Sequence, residues 1–261
     1  MHITEIGRQT MSIPSPDALD LSRTALLLDV DGTLLDIASK PADVDVPESL
    51  RVVLGDLIER SGGAVALVSG RTIETLDRLF SPLVAPAIGG HGAEMRIAND
   101  TAILKRSVVL GKSLRHSLHL LAQIDPHVLV EDKLHSIALH YRLAAGRESF
   151  LKREVSELVR DAREDVEFLF GKSVIDVKPK LLSKGIAVHE LMTCEPFAGR
   201  TPIFIGDDTT DESAFAVMPE LNGFAFSVGR QMNGVQGTFA GPEDVRSWLA
   251  KIWSQDGSRH E

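Results

Sequence analysis

Two aspartates separated by one residue follow the first apolar run of the chain. Residues 25–28 lead into Asp29-Val30-Asp31-Gly32-Thr33, and a short apolar run that ends near a glycine is typical of a buried strand entering a tight turn. Two carboxylates at one strand end repel each other unless a cation or a shared proton relieves them, and Mg²⁺ prefers oxygen ligands. The pentapeptide therefore indicates either a magnesium site for a phosphorylated substrate or an Asx turn.

A second acidic cluster follows another apolar run. Residues 202–205 lead into Gly206-Asp207-Asp208-Thr209-Thr210-Asp211-Glu212. One aspartate suffices to cap the start of a helix, so capping does not account for the adjacent pair Asp207 and Asp208. Ligands of open α/β sheets bind at the carboxyl ends of the strands. We therefore expect the two acidic clusters to meet there and to bind Mg²⁺.

Two further residues complete a predicted phosphate site. Ser69 ends the apolar run 64–68, where its hydroxyl and the following amides can donate to phosphate oxygens near a helix N-terminus. Lys184 begins a predicted helix, a position that the helix dipole disfavours for a cation. Taken singly, the serine is more often a cap and the lysine a solvated side chain. Together with the two acidic clusters, they favour binding of a phosphoryl group.

Alternating strands and helices must position these residues. The order predicts an α/β fold with a Rossmann-like, doubly wound parallel sheet. Pro47 fits the first position of a helix, and the apolar stripe that follows has helical spacing, at Leu50, Val53, Leu54, Leu57 and Ile58. The predicted strands are 25–30, 64–68, 87–90, 202–205 and 224–228; the other predicted helices are 72–80, 184–192, 211–218 and one that ends at 253.

The middle of the chain has a different pattern. Asn99-Asp100 predicts a hairpin turn between strands at 94–97 and 102–105. Apolar residues alternate with other residues over 135–142, which is typical of a sheet with one buried face. We expect an inserted α+β domain at 98–178, a core at 23–97 and 179–261, and a flexible tail at 1–22. The elements predicted within the insert are helices at 110–124 and 147–162 and strands at 128–131, 135–142, 166–170 and 173–178.

Composition narrows the class of protein. The chain has 261 residues and a net charge of −9, which disfavours a nucleic-acid partner. Cys194 is the only cysteine, which fits a reducing compartment. No apolar run approaches the roughly 20 residues of a membrane span, and the N-terminal segment lacks the apolar core of a signal peptide. We expect a cytoplasmic protein without a membrane partner; its oligomeric state stays open and a monomer is compatible.

The motifs in combination resemble those of a known family. Asp-x-Asp-Gly-Thr, Ser69, Lys184 and Gly-Asp-Asp-x-x-Asp resemble, in that order, the haloacid-dehalogenase (HAD) superfamily of phosphohydrolases. More specific segments resemble its trehalose-6-phosphate phosphatase family: 29–36, Ser69-Gly70-Arg71, His91-Gly92-Ala93-Glu94, Glu131-Asp132-Lys133, His140-Tyr141-Arg142 and 206–212. The resemblance spans about residues 23–253. It implies a HAD core with a C2-type cap, Mg²⁺ as cofactor and a sugar phosphate as substrate.

The resemblance also implies roles for the residues of the core. Asp29 would be the nucleophile that forms an aspartyl-phosphate, and Asp31 would be the general acid and then the general base. The implied metal ligands are the Asp29 carboxylate, the Asp31 main-chain carbonyl and Asp207, with Asp208 and Asp211 behind them. The implied phosphate-binding residues are Thr33, Ser69 and Lys184, with Arg71 either supporting the Ser69 turn or forming an ion pair elsewhere.

The insert would cover the core and contact the sugar. The implied sugar-binding residues are Glu131, Lys133, His140, Arg142 and Asp176. Without the resemblance, the first four would be interpreted as an exposed sheet face. Asp176 stands where the family usually carries Glu, which retracts the carboxylate by one methylene. His91 and Glu94 would lie near the domain junction and either organise the hinge or contact the substrate.

Core motifs leave the sugar open, because specificity depends on the cap. The expected reaction is the hydrolysis of trehalose 6-phosphate to trehalose and phosphate. The alternatives are a phosphatase of sucrose 6-phosphate or glucosyl-3-phosphoglycerate, and a noncatalytic sugar-phosphate sensor. Against the sensor, both Asp29 and Asp31 are present.

Overall fold

A computed structural model describes residues 13–37, 44–133, 135–162, 165–171 and 173–254. The strands are β1 (Thr24–Leu28), β2 (Val65–Val68), β3 (Ala87–Gly89), β4 (Glu94–Arg96), β5 (Leu104–Lys105), β6 (Leu129–Asp132), β7 (Ile137–His140), β8 (Val166–Gly171), β9 (Val174–Pro179), β10 (Thr201–Gly206), β11 (Phe224–Val228) and β12 (Gly237–Phe239). The helices are α1 (Glu48–Arg60), α2 (Ile73–Phe80), α3 (Lys112–Ala122), α4 (Glu148–Asp161), α5 (Lys184–Leu191), α6 (Glu212–Val217) and α7 (Pro242–Ser254). In these described parts, no helix is long and apolar enough to cross a membrane.

The larger sheet has the order β12-β11-β10-β1-β2-β3-β4-β5. Its strands are parallel from β12 to β3, and β4 and β5 add two antiparallel strands at one edge. Along β1, Leu26 and Leu28 belong to one buried cluster, while Ala25 and Leu27 belong to another. Helices therefore cover both faces, which confirms the predicted doubly wound α/β fold.

The N-terminal part of the core follows the predicted pattern. Pro47 is the N-cap rather than the predicted first residue of helix α1, and all five residues of the predicted apolar stripe are buried. Residues 13–22 differ from the expected flexible tail: Leu21 belongs to the core cluster, and Trp248 Nε1 donates a hydrogen bond to the Pro14 carbonyl at 2.9 Å. Residues 1–12 of the predicted tail lie outside the described residues.

The smaller sheet is antiparallel, with the order β6-β7-β9-β8. Ile137, Leu139, Ile175 and Val177 share a third buried cluster with residues of α3 and α4. The opposite face is the one that bears polar side chains, because successive residues of a strand point to opposite faces. In register, Ala138 pairs with Glu131 on β6 and with Asp176 on β9, so these two carboxylates flank one alanine on that face.

The strand pairing does not fit a start of the inserted domain at residue 98. Strand β5 pairs with β4 in the larger sheet, and the smaller sheet ends with β9 at Pro179. We therefore propose that the inserted cap begins after Lys105, since a hairpin edge belongs with the sheet that binds it. Strand β12, which the sequence pattern did not predict, adds a short parallel edge to β11.

Candidate active site

The two acidic clusters meet at adjacent strands, as predicted. Leu28 pairs with Ile205, and the Asp29 amide donates to the Ile205 carbonyl at 2.9 Å. The chain then turns at Gly32, whose φ is +86°, and a Cβ there would lie 2.1 Å from Asp207 Oδ2. Only glycine permits both this backbone conformation and this close approach. The Asp-Gly-Thr turn therefore brings the second cluster against the first.

Lys184 lies between two buried carboxylates. Its Nζ donates to Asp29 Oδ1 at 2.7 Å and to Asp211 Oδ1 at 2.6 Å. The lysine stands at the start of α5, which Ser183 caps by accepting a hydrogen bond from the Ile186 amide. All three charged side chains are at most 6% exposed. The cation at a helix N-terminus is therefore stabilised by the two aspartates.

Burial governs the ionisation of this group. It raises the pKa of Asp29 to about 7; the negative charge of Asp211 adds to this rise, and Lys184 opposes it. Burial opposes the charge of Lys184, but the neighbouring Asp211 and Asp29 raise its pKa above the ordinary value. Lys184 therefore stays protonated and supplies fixed positive charge beside Asp29.

Asp211 organises the loop that carries Asp207. Its Oδ2 accepts hydrogen bonds from the amides of Asp207 at 3.0 Å and Asp208 at 3.1 Å. Asp208 accepts from the Thr209 amide at 2.7 Å and lies 3.8 Å from Arg230. Hydrogen bonds occupy both oxygens of Asp211, so this side chain holds the loop and Lys184 in place.

The buried carboxylates at the carboxyl ends of β1 and β10 suit a hard cation. Asp29, Asp207 and Asp211 are buried, and each offers an oxygen within 4.8 Å of the others. Hydrogen bonds occupy both oxygens of Asp211, so Asp29 and Asp207 are the carboxylates of this set that we expect to bind Mg²⁺. The Asp31 side chain is not part of this set, because it turns towards Arg71. This orientation is compatible with the implied use of the Asp31 carbonyl rather than its carboxylate as a metal ligand.

Arg71 combines the two roles left open by the sequence. Its amide donates to Ser69 Oγ at 3.1 Å, and its guanidinium pairs with the Asp31 carboxylate. Ser69 and Thr33 are buried beside this turn, and Thr33 Oγ1 has no hydrogen-bond partner among the described residues. A buried hydroxyl without a partner is costly, which suits a site that receives phosphate oxygens.

The polar face of the smaller sheet, the cap, lies over the carboxyl ends of the strands in the larger sheet. Between them lies a cleft of about 190 Å³. All the predicted site residues line it except Thr33, Glu94 and Asp211, which are buried outside its lining. The lining residues that were predicted are Asp29, Asp31, Ser69, Arg71, His91, Glu131, Lys133, His140, Arg142, Asp176, Lys184, Asp207 and Asp208.

Charged residues of the cap form a connected group. Lys133 Nζ lies 3.3 Å from Asp176 Oδ1 and 3.7 Å from Glu131 Oε2, and His140 Nε2 lies 3.0 Å from Glu131 Oε2. Burial opposes the ionisation of Asp176, but Lys133 and His91 outweigh it and hold the pKa well below the ordinary value. Burial also opposes the ionisation of Glu131, yet His140 and Lys133 lower its pKa. Both carboxylates are therefore ionised at neutral pH.

Several features of the cleft were missed at the sequence level. Part of its lining is apolar, and the end of β8 contacts the core, where Thr209 Oγ1 donates to the Phe170 carbonyl at 3.1 Å. A Cβ at Gly171 would lie 2.9 Å from Asp208 Oδ2, so glycine permits this approach. No motif signals these contacts, because they depend on how the cap sits on the core. The apolar lining residues are Ile37, Val44, Leu129, Leu143 and Val174.

A doubly wound sheet with an acidic crest, a buried lysine and an inserted antiparallel sheet defines a phosphohydrolase of the HAD type. Comparison with known proteins gives the same class. A family model described as trehalose-phosphatase matches residues 27–242. The trehalose-6-phosphate phosphatase of Escherichia coli (strain K12) is 37% identical over 244 residues, which cover 93% of this chain and 91% of that protein. The chain therefore belongs to the trehalose-phosphatase family.

Two further proteins are similar over most of the chain. A Sinorhizobium fredii protein named "Probable trehalose-phosphate phosphatase" is 37% identical over 235 residues, covering 89% of each chain. The solved C-terminal domain of Candida albicans trehalose-6-phosphate phosphatase has a TM-score of 0.80 at 21% identity, covering 88% of this chain and 92% of that one. At that identity the structural likeness supports the fold alone.

Proposed function

We propose that this protein hydrolyses trehalose 6-phosphate to trehalose and phosphate, with Mg²⁺ as cofactor and an aspartyl-phosphate as intermediate. The observation that carries the proposal is the placement of Asp29. This buried carboxylate lies 2.7 Å from the Lys184 ammonium and beside Asp207, in a cleft that the polar face of the cap covers. Membership of the trehalose-phosphatase family supports the choice of sugar.

In the first step, an Asp29 carboxylate oxygen attacks phosphorus in line with the bond to the sugar oxygen. The new bond joins Asp29 to phosphorus as the bond from phosphorus to the sugar oxygen breaks. For this step Asp31 first takes up a proton from solvent, because the free protein holds it as a carboxylate paired with Arg71. It then gives that proton to the leaving oxygen, so that trehalose departs as a neutral alcohol. In the second step, Asp31 takes a proton from water, which attacks the aspartyl-phosphate. Phosphate leaves and the Asp29 carboxylate is restored.

The metal would be held by the Asp29 and Asp207 carboxylates and the Asp31 main-chain carbonyl. When bound there, Mg²⁺ supplies positive charge that screens the repulsion between the phosphate and Asp29. Asp211 holds the Asp207 amide at 3.0 Å and thereby orients the loop. Asp208 supports the same loop through the Thr209 amide.

The transferring phosphoryl group needs donors around its oxygens, because such reactions depend chiefly on positioning and charge. Lys184 supplies fixed positive charge next to Asp29. The buried hydroxyls of Thr33 and Ser69 supply hydrogen bonds. Arg71 contributes by fixing the Ser69 turn through its amide and Asp31 through its guanidinium.

Sugar recognition falls to the cap. Glu131 on β6 and Asp176 on β9 flank Ala138. Lys133, just after the end of β6, lies 3.3 Å from Asp176 and 3.7 Å from Glu131. Ionised carboxylates and an ammonium group can hydrogen-bond to several sugar hydroxyls at once. The cap also excludes water from the phosphoryl group. His140, paired with Glu131, and Arg142 border the same group.

We place the enzyme in the cytoplasm, in trehalose biosynthesis, acting on a small sugar phosphate without nucleic-acid or membrane partners. A single cysteine fits a reducing compartment. The net charge of −9 disfavours a polyanionic partner.

A substrate panel tests the proposed function. Phosphate release is measured with Mg²⁺ for trehalose 6-phosphate, sucrose 6-phosphate, glucosyl-3-phosphoglycerate and glucose 6-phosphate. We expect kcat/KM for trehalose 6-phosphate to exceed each of the others at least tenfold. Comparable turnover of another sugar phosphate would reject the trehalose assignment. No release from any of them, together with saturable binding of trehalose 6-phosphate, would favour a sensor.

A further inference from the structure

His91 is the residue through which the core contacts the charged group of the cap. It lies in the turn of residues 90–92 that joins β3 to β4 of the core. Its Nε2 is 3.5 Å from Oδ1 of Asp176 on β9 of the cap, and both side chains are less than 10% exposed. The contact is therefore largely buried and crosses the seam between the two sheets. This contact is longer than a hydrogen bond, and neither ring nitrogen of His91 has a hydrogen-bond partner among the described residues.

On the core side, the backbone fixes His91 to the phosphate-binding turn. The His91 amide donates to the Ser69 carbonyl at 3.2 Å, and the Gly90 amide donates to the Arg71 carbonyl at 2.8 Å. His91 adopts a φ of +55°, which is uncommon for a residue with a side chain. A Cβ at Gly70 would lie 2.5 Å from the imidazole, so this glycine makes room for the ring. The ring position is thus set by the turn that carries Ser69.

On the cap side, Asp176 also contacts Lys133. Lys133 Nζ lies 3.3 Å from the same Oδ1 atom that faces His91. Asp176 also stands in register with Ala138 and, across it, with Glu131. One carboxylate therefore connects the imidazole of the core with the lysine and the strand pair of the cap.

We propose that His91 is a positioning residue that acts through Asp176 and sets the sugar-binding face of the cap against the phosphate-binding turn. This inference rests on the proposed function. Its consequence is specific to substrates that need the cap. A sugar phosphate requires Lys133 and Asp176 at a fixed distance from the reacting phosphorus, whereas a small aryl phosphate requires only the core. Loss of the His91 contact should therefore penalise the sugar phosphate selectively.

A matched pair of variants isolates the imidazole contact. His91→Gln keeps a nitrogen donor near the position of Nε2, and His91→Leu has a similar volume without a donor. Both bear the same backbone strain at φ +55°. The readouts are kcat and KM for trehalose 6-phosphate and for p-nitrophenyl phosphate. We expect His91→Leu to lose at least ten times more kcat/KM on the sugar phosphate than on the aryl phosphate, and His91→Gln to recover most of that difference.

Equal losses on both substrates would overturn the proposal, because they would indicate damage to the core or to folding. Equal behaviour of His91→Gln and His91→Leu would also overturn it, since the donor would then be irrelevant. His119→Leu serves as the control: it removes an exposed cap histidine that pairs with Asp132, on the other face of β6 from Glu131. It should change the ratio of the two substrates less than twofold.

A double-mutant cycle tests whether His91 acts through Asp176. Single variants His91→Leu and Asp176→Asn are compared with the double variant on the sugar phosphate. We expect the double variant to lose no more than about threefold beyond the worse single variant. Losses that multiply would contradict the proposal and would indicate that His91 contacts the sugar independently.

Failure of the proposed function can be distinguished from failure of the positioning role of His91. If the wild-type protein does not hydrolyse trehalose 6-phosphate, the proposed function fails. The His91 comparison is then made with whichever sugar phosphate of the panel the wild-type protein hydrolyses fastest, so its outcome still tests the positioning role.

Discussion

Arg71 holds the carboxylate of Asp31 in a two-pronged ion pair. Arg71 Nε donates to Asp31 Oδ2 at 2.6 Å and Nη2 donates to Oδ1 at 2.7 Å. Burial opposes the charge of Arg71, but the hydrogen bonds and charge of Asp31 raise its pKa above the ordinary value. The planar fork fixes the plane of the carboxylate as well as its distance. The proposed acid–base residue is therefore oriented by a residue of the neighbouring strand end.

Replacing the guanidinium of Arg71 with an ammonium group should slow the reaction without unfolding the protein. Arg71→Lys keeps the positive charge but cannot bind both oxygens in one plane. We expect kcat for trehalose 6-phosphate to fall by about 10- to 100-fold, a part of what general acid–base catalysis contributes. Arg78→Lys, in an exposed pair with Glu74, is the control and should retain the wild-type kcat. A wild-type kcat for Arg71→Lys would show that the orientation of Asp31 does not matter.

Asp31→Asn should separate the two chemical steps. A sugar alcohol must be protonated as it leaves, whereas p-nitrophenolate leaves without a proton. We therefore expect loss of at least 100-fold in kcat with trehalose 6-phosphate. With p-nitrophenyl phosphate, the first step proceeds and the second lacks its base. Stopped-flow absorbance should then show a burst of about one nitrophenolate per enzyme. An unchanged rate with the sugar phosphate, and no burst, would exclude the acid–base role.

Lys184 should also stabilise the fold. Lys184→Met leaves Asp29 and Asp211 buried without their shared cation, and breaking a buried ion pair costs about 3–5 kcal/mol. We expect the free energy of unfolding in urea, measured with a chelator at pH 7, to fall by about 3 kcal/mol. Lys180→Met removes an exposed pair with Asp165 and should cost less than about 1 kcal/mol. Equal stability of both variants would mean that Lys184 does not neutralise the aspartates.

Much of the site could be predicted from the sequence because it rests on strand ends. Asp29 and Asp207 follow strands that pair with each other, and the apolar runs locate those strands. Helix α1 was equally predictable, since its buried residues recur at helical spacing. These features are local: each depends on a few consecutive residues and on the alternation of strands and helices.

Other features depend on how distant segments meet, and sequence periodicity does not report that. Strand β12 has too few residues to show alternation, and β5, which is as short, was predicted only through the hairpin turn at Asn99-Asp100. The hydrogen bond from Thr209 to Phe170 and the contact of His91 with Asp176 exist because the cap sits in one orientation on the core. The sequence left Arg71 either supporting the Ser69 turn or forming an ion pair with an unnamed partner, and only the geometry identifies that partner as Asp31.

The turn at Gly32 should be required for metal-dependent activity. Gly32→Ala places a Cβ 2.1 Å from Asp207 Oδ2, at a φ of +86° that favours glycine. Asp207 must then move away from Asp29. We expect the Mg²⁺ concentration for half-maximal phosphate release to rise at least tenfold, or activity to be lost. Gly146→Ala, where the added Cβ meets nothing within 4 Å, is the control. An unchanged Mg²⁺ dependence in Gly32→Ala would argue against Asp207 as a ligand.

The role of Asp29 as nucleophile is the central claim, and phosphate release by Asp29→Asn tests it most directly. The amide keeps the shape of the side chain but is a far weaker nucleophile. Asp36→Asn, which changes an exposed carboxylate near the same loop, is the control. With Mg²⁺ and trehalose 6-phosphate, we predict at least a 1000-fold loss for Asp29→Asn and a near wild-type rate for Asp36→Asn. Phosphate release by Asp29→Asn at a rate close to wild type would contradict the account.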